Sequence, residues 1–351
     1  MSIPSRMNSR LLVLSKKKQT AYGTVLLDTD LQAGKRFSVI SPMFGQPMSK
    51  DWSDRDYAMH GHDYGSQIVE IERDMQDSLS LPGDTWLLAW MAAFGMGKVT
   101  TTQPDPGGAP TAYQHVIKPM DPATDGNNLP TTTIYAEASG ASNLQRRLNS
   151  CAIKDFSVDF PASSPLTLSG SVIGSGAVTG GTLATPPALA TLNLLRSDDV
   201  QVLYGTQGAP TDISTQIVRG SIKFGFSWNF DDANSRGPGG GLYRLRAWLV
   251  RPDITLSFQR FVDDASSSPS DDFFAKTVQE VQVNVAGASL GTLSHSLKIR
   301  GLAVVPDAVK IGQSGDKSVY QYSFAADHWL KQGSADVVTF TVINTETSFL
   351  A

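Results

Sequence analysis

From Ile222 to Phe230 the chain alternates without a break. Ile222, Phe224, Phe226, Trp228 and Phe230 are large and apolar, while Lys223, Gly225, Ser227 and Asn229 between them are small or polar. A helix would spread these five apolar side chains around its circumference. A strand points successive side chains to opposite faces, so only an extended segment gathers them on one side. The same period of two recurs at Phe156/Val158/Phe160, Leu166/Leu168/Val172, Ile254/Leu256/Phe258, Val281/Val283/Val285, Tyr320/Tyr322/Phe324 and Val338/Phe340/Val342. Strands buried on both faces read as continuous apolar runs, whereas alternation marks antiparallel sheets with one wet face. The fold class expected is mainly β, an antiparallel sandwich or barrel.

Two helices interrupt this pattern. In residues 82–95, Asp84 is placed to cap the N-terminus and Gly95 the C-terminus, with Leu87, Met91 and Phe94 on the face laid against a sheet. The segment Ser270–Glu280 predicts a second helix, with Phe273, Phe274, Thr277 and Val278 turned inward. Strands are expected near 66–74, 131–138, 151–160 and 165–174, and again near 217–231, 242–261, 281–286, 296–305, 318–326 and 336–344. The order of elements is similar in the two halves, which predicts a duplicated module with one flanking helix each. The first module is 1–180, with an N-terminal arm and long loops; 181–215 is a linker or long loop; the second module is 216–351. Residues 175–195 have a linker's composition, rich in Gly, Thr, Ala and Pro. Residues 41–65 and 101–130 show no period, and loops of that length inside compact domains are usually functional.

Composition narrows the chemistry. The net charge is −4, and the one dense basic run is Lys16-Lys17-Lys18. General binding to a nucleic-acid backbone needs many clustered cations, so this run reads as a solvated arm or an intersubunit contact. A single cysteine, Cys151, excludes an intrachain disulfide and reads as a buried thiol. The apolar run Leu11–Leu14 is too short for a secretory signal, and positive charge follows rather than precedes it. No stretch approaches the roughly 20 apolar residues that span a bilayer. The protein is therefore expected to be made in the cytoplasm and to stay soluble until assembly.

No constellation points to catalysis. His60 and His62 would share one face of an extended strand beside Asp63, but a further ligand at defined spacing is missing, so no metal is predicted. His115, His295 and His328 stand alone. The pairs Asp198-Asp199, Asp231-Asp232, Asp263-Asp264 and Asp271-Asp272 sit where strands or helices begin or end, as turn formers and caps do. Gly237–Gly241 is followed by an alternating segment rather than by Gly-Lys-Ser/Thr and a helix, so it is not a phosphate loop. No serine occupies a nucleophile elbow. The chain reads as a non-enzyme without a cofactor.

The pieces follow a distinctive order. Lys18-Gln-Thr-Ala-Tyr-Gly23 opens; the Pro82-Gly-Asp84 helix ends in Phe94-Gly95; a Tyr113-Gln-His-Val strand and a Pro-Thr-Thr-Thr segment follow. Next come Leu148–Phe160 and Leu166–Gly174 as a hairpin, and Ala325–Trp329 with Val338–Asn344 closes. Across residues 18–345 this order resembles the tail tube family of phages with long, non-contractile tails. The resemblance implies a β-sandwich or barrel whose rings stack into a hollow tube for genome delivery. It implies a virion tail location after assembly in the host cytoplasm. Its implied partners are further copies of the chain, tail tip, tape measure and tail terminator proteins, and genomic DNA that passes without specific binding. Two modules per chain make a three-chain ring the expectation, ahead of a six-chain ring.

On that reading Lys16, Lys17, Lys18, Phe44, Trp52, Tyr57 and Tyr64 are the candidate contacts between rings. The polar faces of the strands supply the candidate channel lining: Ser157, Asp159, Thr167, Ser169, Ser227, Asn229, Thr255, Ser257 and Gln259. Lys223 shares that face and works against a purely acidic wall. The alternative reading is a capsid decoration protein or a receptor-binding tail protein, with the aromatics of 41–65 as its contact surface.

Overall fold

The computed structural model describes residues 10–38, 46–53, 68–121, 123–126, 128–138, 145–175, 177–230, 249–262, 276–304, 310–331 and 336–351. Its strands are β1 (Arg10–Leu14), β2 (Lys35–Ser38), β3 (Gln46–Ser53), β4 (Ile68–Pro82), β5 (Gly97–Thr102), β6 (Tyr113–Pro119), β7 (Thr132–Ala138), β8 (Gln145–Asp159), β9 (Thr167–Gly174) and β10 (Val178–Gly180). They continue with β11 (Val200–Thr206), β12 (Thr211–Asp212), β13 (Lys223–Phe230), β14 (Leu249–Phe261), β15 (Val278–Leu290), β16 (Leu293–Val304), β17 (Lys310–Ser314), β18 (Lys317–Phe324) and β19 (Val338–Asn344). A short helix α1 (Asp28–Gln32) and a longer α2 (Thr85–Met96) complete the regular elements, with brief 3₁₀ turns.

The strands form two antiparallel sheets. The larger contains the continuous path β3-β4-β9-β8-β13-β14-β18-β17, and from β8 it also branches through β7 and β1 to β2. The smaller runs β12-β11-β15-β16-β19-β6-β5. Their apolar faces meet. Phe156 of β8 and Phe224 of β13 each bring their rings to 5.9 Å from Phe340 of β19. Tyr204 of β11 packs on Phe258 of β14 and on Tyr322 of β18. Alternation thus delivers a sandwich, because each sheet needs the other to cover its greasy side.

The boundary expected between 1–180 and 216–351 runs through the sheets instead of between them. Strand β8 pairs with β13, and β6 pairs with β19, so both halves contribute to both layers. One core cluster extends over strands of both halves. The two halves do not close as separate sandwiches, because their strands satisfy one another's backbone hydrogen bonds. The 181–215 segment is not a free linker either. Leu183 is buried beside Tyr135, Ala190 N donates to Arg36 O, and Leu195 N donates to Gly83 O. Leu195 itself is fully buried, and β11 then joins the smaller sheet.

Helix α2 also departs from expectation. All twelve of its residues are buried, so it does not flank a sheet with one apolar stripe. It touches β8 of the larger sheet and β5, β6, β16 and β19 of the smaller. A helix buried all round needs an all-round apolar sequence, and Thr85–Met96 has no charged residue. Its tryptophans are satisfied from outside the helix: Trp86 Nε1 donates to Glu346 Oε2 at 2.9 Å and Trp90 Nε1 to Ser15 O at 2.8 Å. Gly95 lies inside the helix rather than at its cap. A Cβ there would approach the Phe156 ring to 2.9 Å, and the Gly95 carbonyl accepts from Trp228 Nε1. The C-cap is Gly97, with φ of 89°, a left-handed conformation that favours glycine.

Asp84 is the N-cap as expected. One oxygen accepts from Trp86 N and Leu87 N, and the other from Asn193 N at 2.6 Å. The buried carboxylate therefore ties α2 to the 181–215 segment as well as capping the helix. Asp84→Ala should cost about 2 kcal/mol, the upper range for a lost cap, because two buried N–H groups and one half-buried one lose their acceptor. Chemical denaturation checks this; an unchanged midpoint would remove the cap from the account.

Other expectations shift locally. The predicted helix 270–280 is contradicted at its C-terminal end, where Val278–Glu280 open β15; residues 263–275 lie outside the described residues. The aperiodic 41–65 contains β3, paired antiparallel with β4 from Gln46 to Ser53. The 101–130 loop is divided by β6, which pairs with both β5 and β19. Leu11–Leu14 is a strand between β2 and β7, with its four side chains all buried.

Candidate functional site

Strand register organises an extended polar face on the outside of the larger sheet. Register fixes it. Ser157 lies opposite Ser169 and Gly225, and Gly225 opposite Thr255. In the next row Thr167, Asp159, Lys223, Ser257 and Ser323 follow one another across five strands. On the other side of the first row, Ser171, Asp155, Ser227 and Asp253 do the same. All nine predicted lining residues thus stand on one face, since partners in register and residues two apart share a side. A direct contact supports the placement: the Ser157 and Ser169 hydroxyls are 2.8 Å apart.

The face extends beyond the predicted set. Ser78 and Ser80 of β4 lie opposite Ser171 and Ser169, and Gln321 of β18 lies opposite Gln259. The alternation Ser78-Leu79-Ser80-Leu81 carries this signal in the sequence. Asp155 is held in place by Ser171, whose backbone N donates to Oδ1 at 3.0 Å and whose hydroxyl donates to Oδ2. Lys223 Nζ is 3.9 Å from Asp159 Oδ1, with both side chains largely open to solvent. Such a pair contributes little. The surface is broad, dominated by hydroxyls and of mixed sign.

The candidate ring contacts are distributed differently. Lys16 Nζ binds Glu346 Oε1, and Lys17 Nζ lies 2.8 Å from Asp30 Oδ1; Lys18 is exposed. This basic segment is stitched to the body rather than forming a solvated arm. Gln19 N donates to Thr131 O, Leu350 N to Lys16 O, and Thr132 Oγ1 to Lys17 O. Burial alone would raise the pKa of Glu346, but hydrogen bonds from Lys16 and Trp86 hold it below the usual carboxylate range. Trp52 has its backbone in β3, while its side chain, with Phe44, Tyr57 and Tyr64, lies outside the described residues. So do His60, His62 and Asp63.

Among the described residues no three His, Cys, Asp or Glu side chains gather to hold a metal. His115 hydrogen-bonds Thr101 and Asn344, and burial lowers its pKa. His295 meets Thr85 Oγ1 at 3.0 Å. Cys151 is buried, and burial pushes its thiol pKa far up, which makes it a poor nucleophile.

One cross-strand cluster has no local sequence signal. Glu280 on β15 accepts from Arg300 Nε at 2.8 Å and Nη2 at 3.0 Å, from Gly208 N at 2.9 Å and from Gln282 Nε2. The Arg300 hydrogen bonds, reinforced by those from Gly208 and Gln282, bring its pKa down to about 2 against the opposing effect of burial. A carboxylate with a depressed folded pKa stabilises the fold fully above its unfolded value and loses that contribution as pH falls through the folded one. Glu280→Gln should therefore destabilise the protein at neutral pH, with the gap to wild type closing between about pH 4.5 and pH 2. Thermal unfolding across that range checks it, and parallel curves would contradict it.

No protein-family model matches the chain, and no curated protein matches it in sequence. The functional reading therefore rests on this surface and on the resemblance in the order of sequence elements.

Proposed function

We propose that this chain is a structural subunit of a bacteriophage tail tube, polymerising into stacked rings around a channel for the genome. The observation that carries the reading is the continuous wet face spanning β4, β9, β8, β13, β14 and β18. A channel for a polyanion must be polar without gripping the phosphates it passes. Serine, threonine and glutamine dominate the face, and Asp155, Asp159 and Asp253 outnumber Lys223 across β8, β13 and β14, which fits that requirement.

The sheet's edges supply the means of closure. Among the described residues β17 pairs only with β18, and β3 only with β4. An open strand edge is a template for another chain, and head-to-tail joining of β17 to a neighbour's β3 would continue the sheet around an axis. Stacking along that axis is a second, non-closing contact. The shared sheets favour one sandwich per chain, and hence a ring of six chains over a ring of three. In this reading the partners are further copies, tail tip, tape measure and terminator proteins, and the location is the virion tail. Negative-stain microscopy of concentrated protein tests it: hollow tubes are the expected particle.

A further inference from the structure

One end of the outer face differs from the rest. Beside β13, β14 and β18 a recess of about 520 Å³ opens around Arg219, Ser221, Lys223, Gln259, Gln321 and Ser323. No carboxylate lines it. Its two cations are poorly engaged: Arg219 comes only within 4.0 Å of Asp198, and Lys223 within 3.9 Å of Asp159. Their side chains are 79% and 66% exposed, so both remain free to take another partner. Lys310 lies opposite Gln321 in the β17–β18 register, which sets a third cation on the same face.

The neutral groups point the same way. Ser221 is already used, accepting from Gln259 N and donating to Val218 O. The side chains of Gln259, Gln321 and Ser323 make no hydrogen bond to another described residue. They are donors of the kind that complete the coordination of a phosphate oxygen once a guanidinium and an ammonium supply the charge. A glycan would also use hydroxyls and amides, but nothing in its chemistry calls for the positive charge.

We propose that this recess binds a phosphate group, as a contact for the phosphodiester backbone. The proposal does not rest on the tube reading, because the recess is complete within one chain. Where the face lines a channel, each subunit would add a weak, salt-labile hold on the passing strand to an otherwise unretentive wall.

The test uses unassembled full-length protein at low ionic strength, followed by amide resonances of Gly220, Ser221 and Ser323. Inorganic phosphate and a 12-base-pair DNA duplex are titrated separately, against wild type, the double variant Arg219→Gln/Lys223→Gln, and Lys298→Gln on the smaller sheet as control. Both probes should move these resonances. The double variant should weaken duplex binding about tenfold and flatten its salt dependence by up to about 1.8 in log–log slope, at roughly 0.9 for each phosphate no longer neutralised. Lys298→Gln should change neither. A response to inorganic phosphate without one to the duplex overturns the backbone contact and assigns free phosphate as the ligand. No response to either probe overturns the proposal, as does a response that the double variant leaves intact. Tube formation is scored separately by microscopy, so failure of one idea leaves the other standing.

Discussion

Leu87→Asp should leave the chain without a folded state. Leu87 is fully buried, in a helix whose every neighbouring position is also buried. A flanking helix could rotate or lift to expose a new carboxylate; α2 lies between two sheets and cannot. Removing an ionised carboxylate from water costs several kcal/mol even after relaxation, and keeping it protonated at neutral pH carries a comparable penalty. The loss of apolar burial and packing at Leu87 adds about 2–5 kcal/mol. The total approaches or exceeds the roughly 5–15 kcal/mol that holds a typical domain together. Far-UV circular dichroism and the soluble yield measure the outcome. A cooperative melt close to that of wild type would show that α2 is not the centre of the core.

Ile311→Pro should abolish polymerisation and leave the subunit folded. Ile311 sits on the edge strand β17, 70% exposed, and β17 is hydrogen-bonded to β18 alone among the described residues. Proline lacks an N–H and is tolerated at sheet edges, which is why edge prolines block strand addition. The expected cost to the monomer is small, because a peripheral strand away from the core carries the change. The expected effect on assembly is complete, because one interrupted edge opens every ring. Sedimentation separates the outcomes: monomers with an unshifted melting temperature are predicted. Tubes formed as readily as by wild type would remove β17 from the ring interface.

These two residues illustrate unequal legibility. The wet and dry faces around Ile222–Phe230 can be read directly, because one-sided burial imposes a period of two on any strand. The cap at Asp84 is equally plain, since its chemistry is local. Helix α2 is harder: Leu87, Met91 and Phe94 form a stripe that suggests a flanking helix, but Thr85–Met96 is apolar all round and holds no charge. Leu11–Leu14 shows no alternation for the opposite reason to a loop: its side chains are buried on both faces. The Ser270–Glu280 window carries a helical spacing, yet its last residues, Val278–Glu280, go to a strand. What leaves no trace at all is long-range pairing. Nothing in residues 145–159 announces that β13 will lie beside them, and nothing near Glu280 announces Arg300 across the ladder. The division into halves fails there: similar order along the chain says little about which strands meet.

Negative-stain microscopy of concentrated, purified protein, with tail-tip components added as seeds, reaches the central claim most directly. Hollow tubes of uniform width with regularly spaced rings are predicted, and Ile311→Pro protein prepared alongside should show none. Isolated globules at every concentration, seeded or not, would contradict the account.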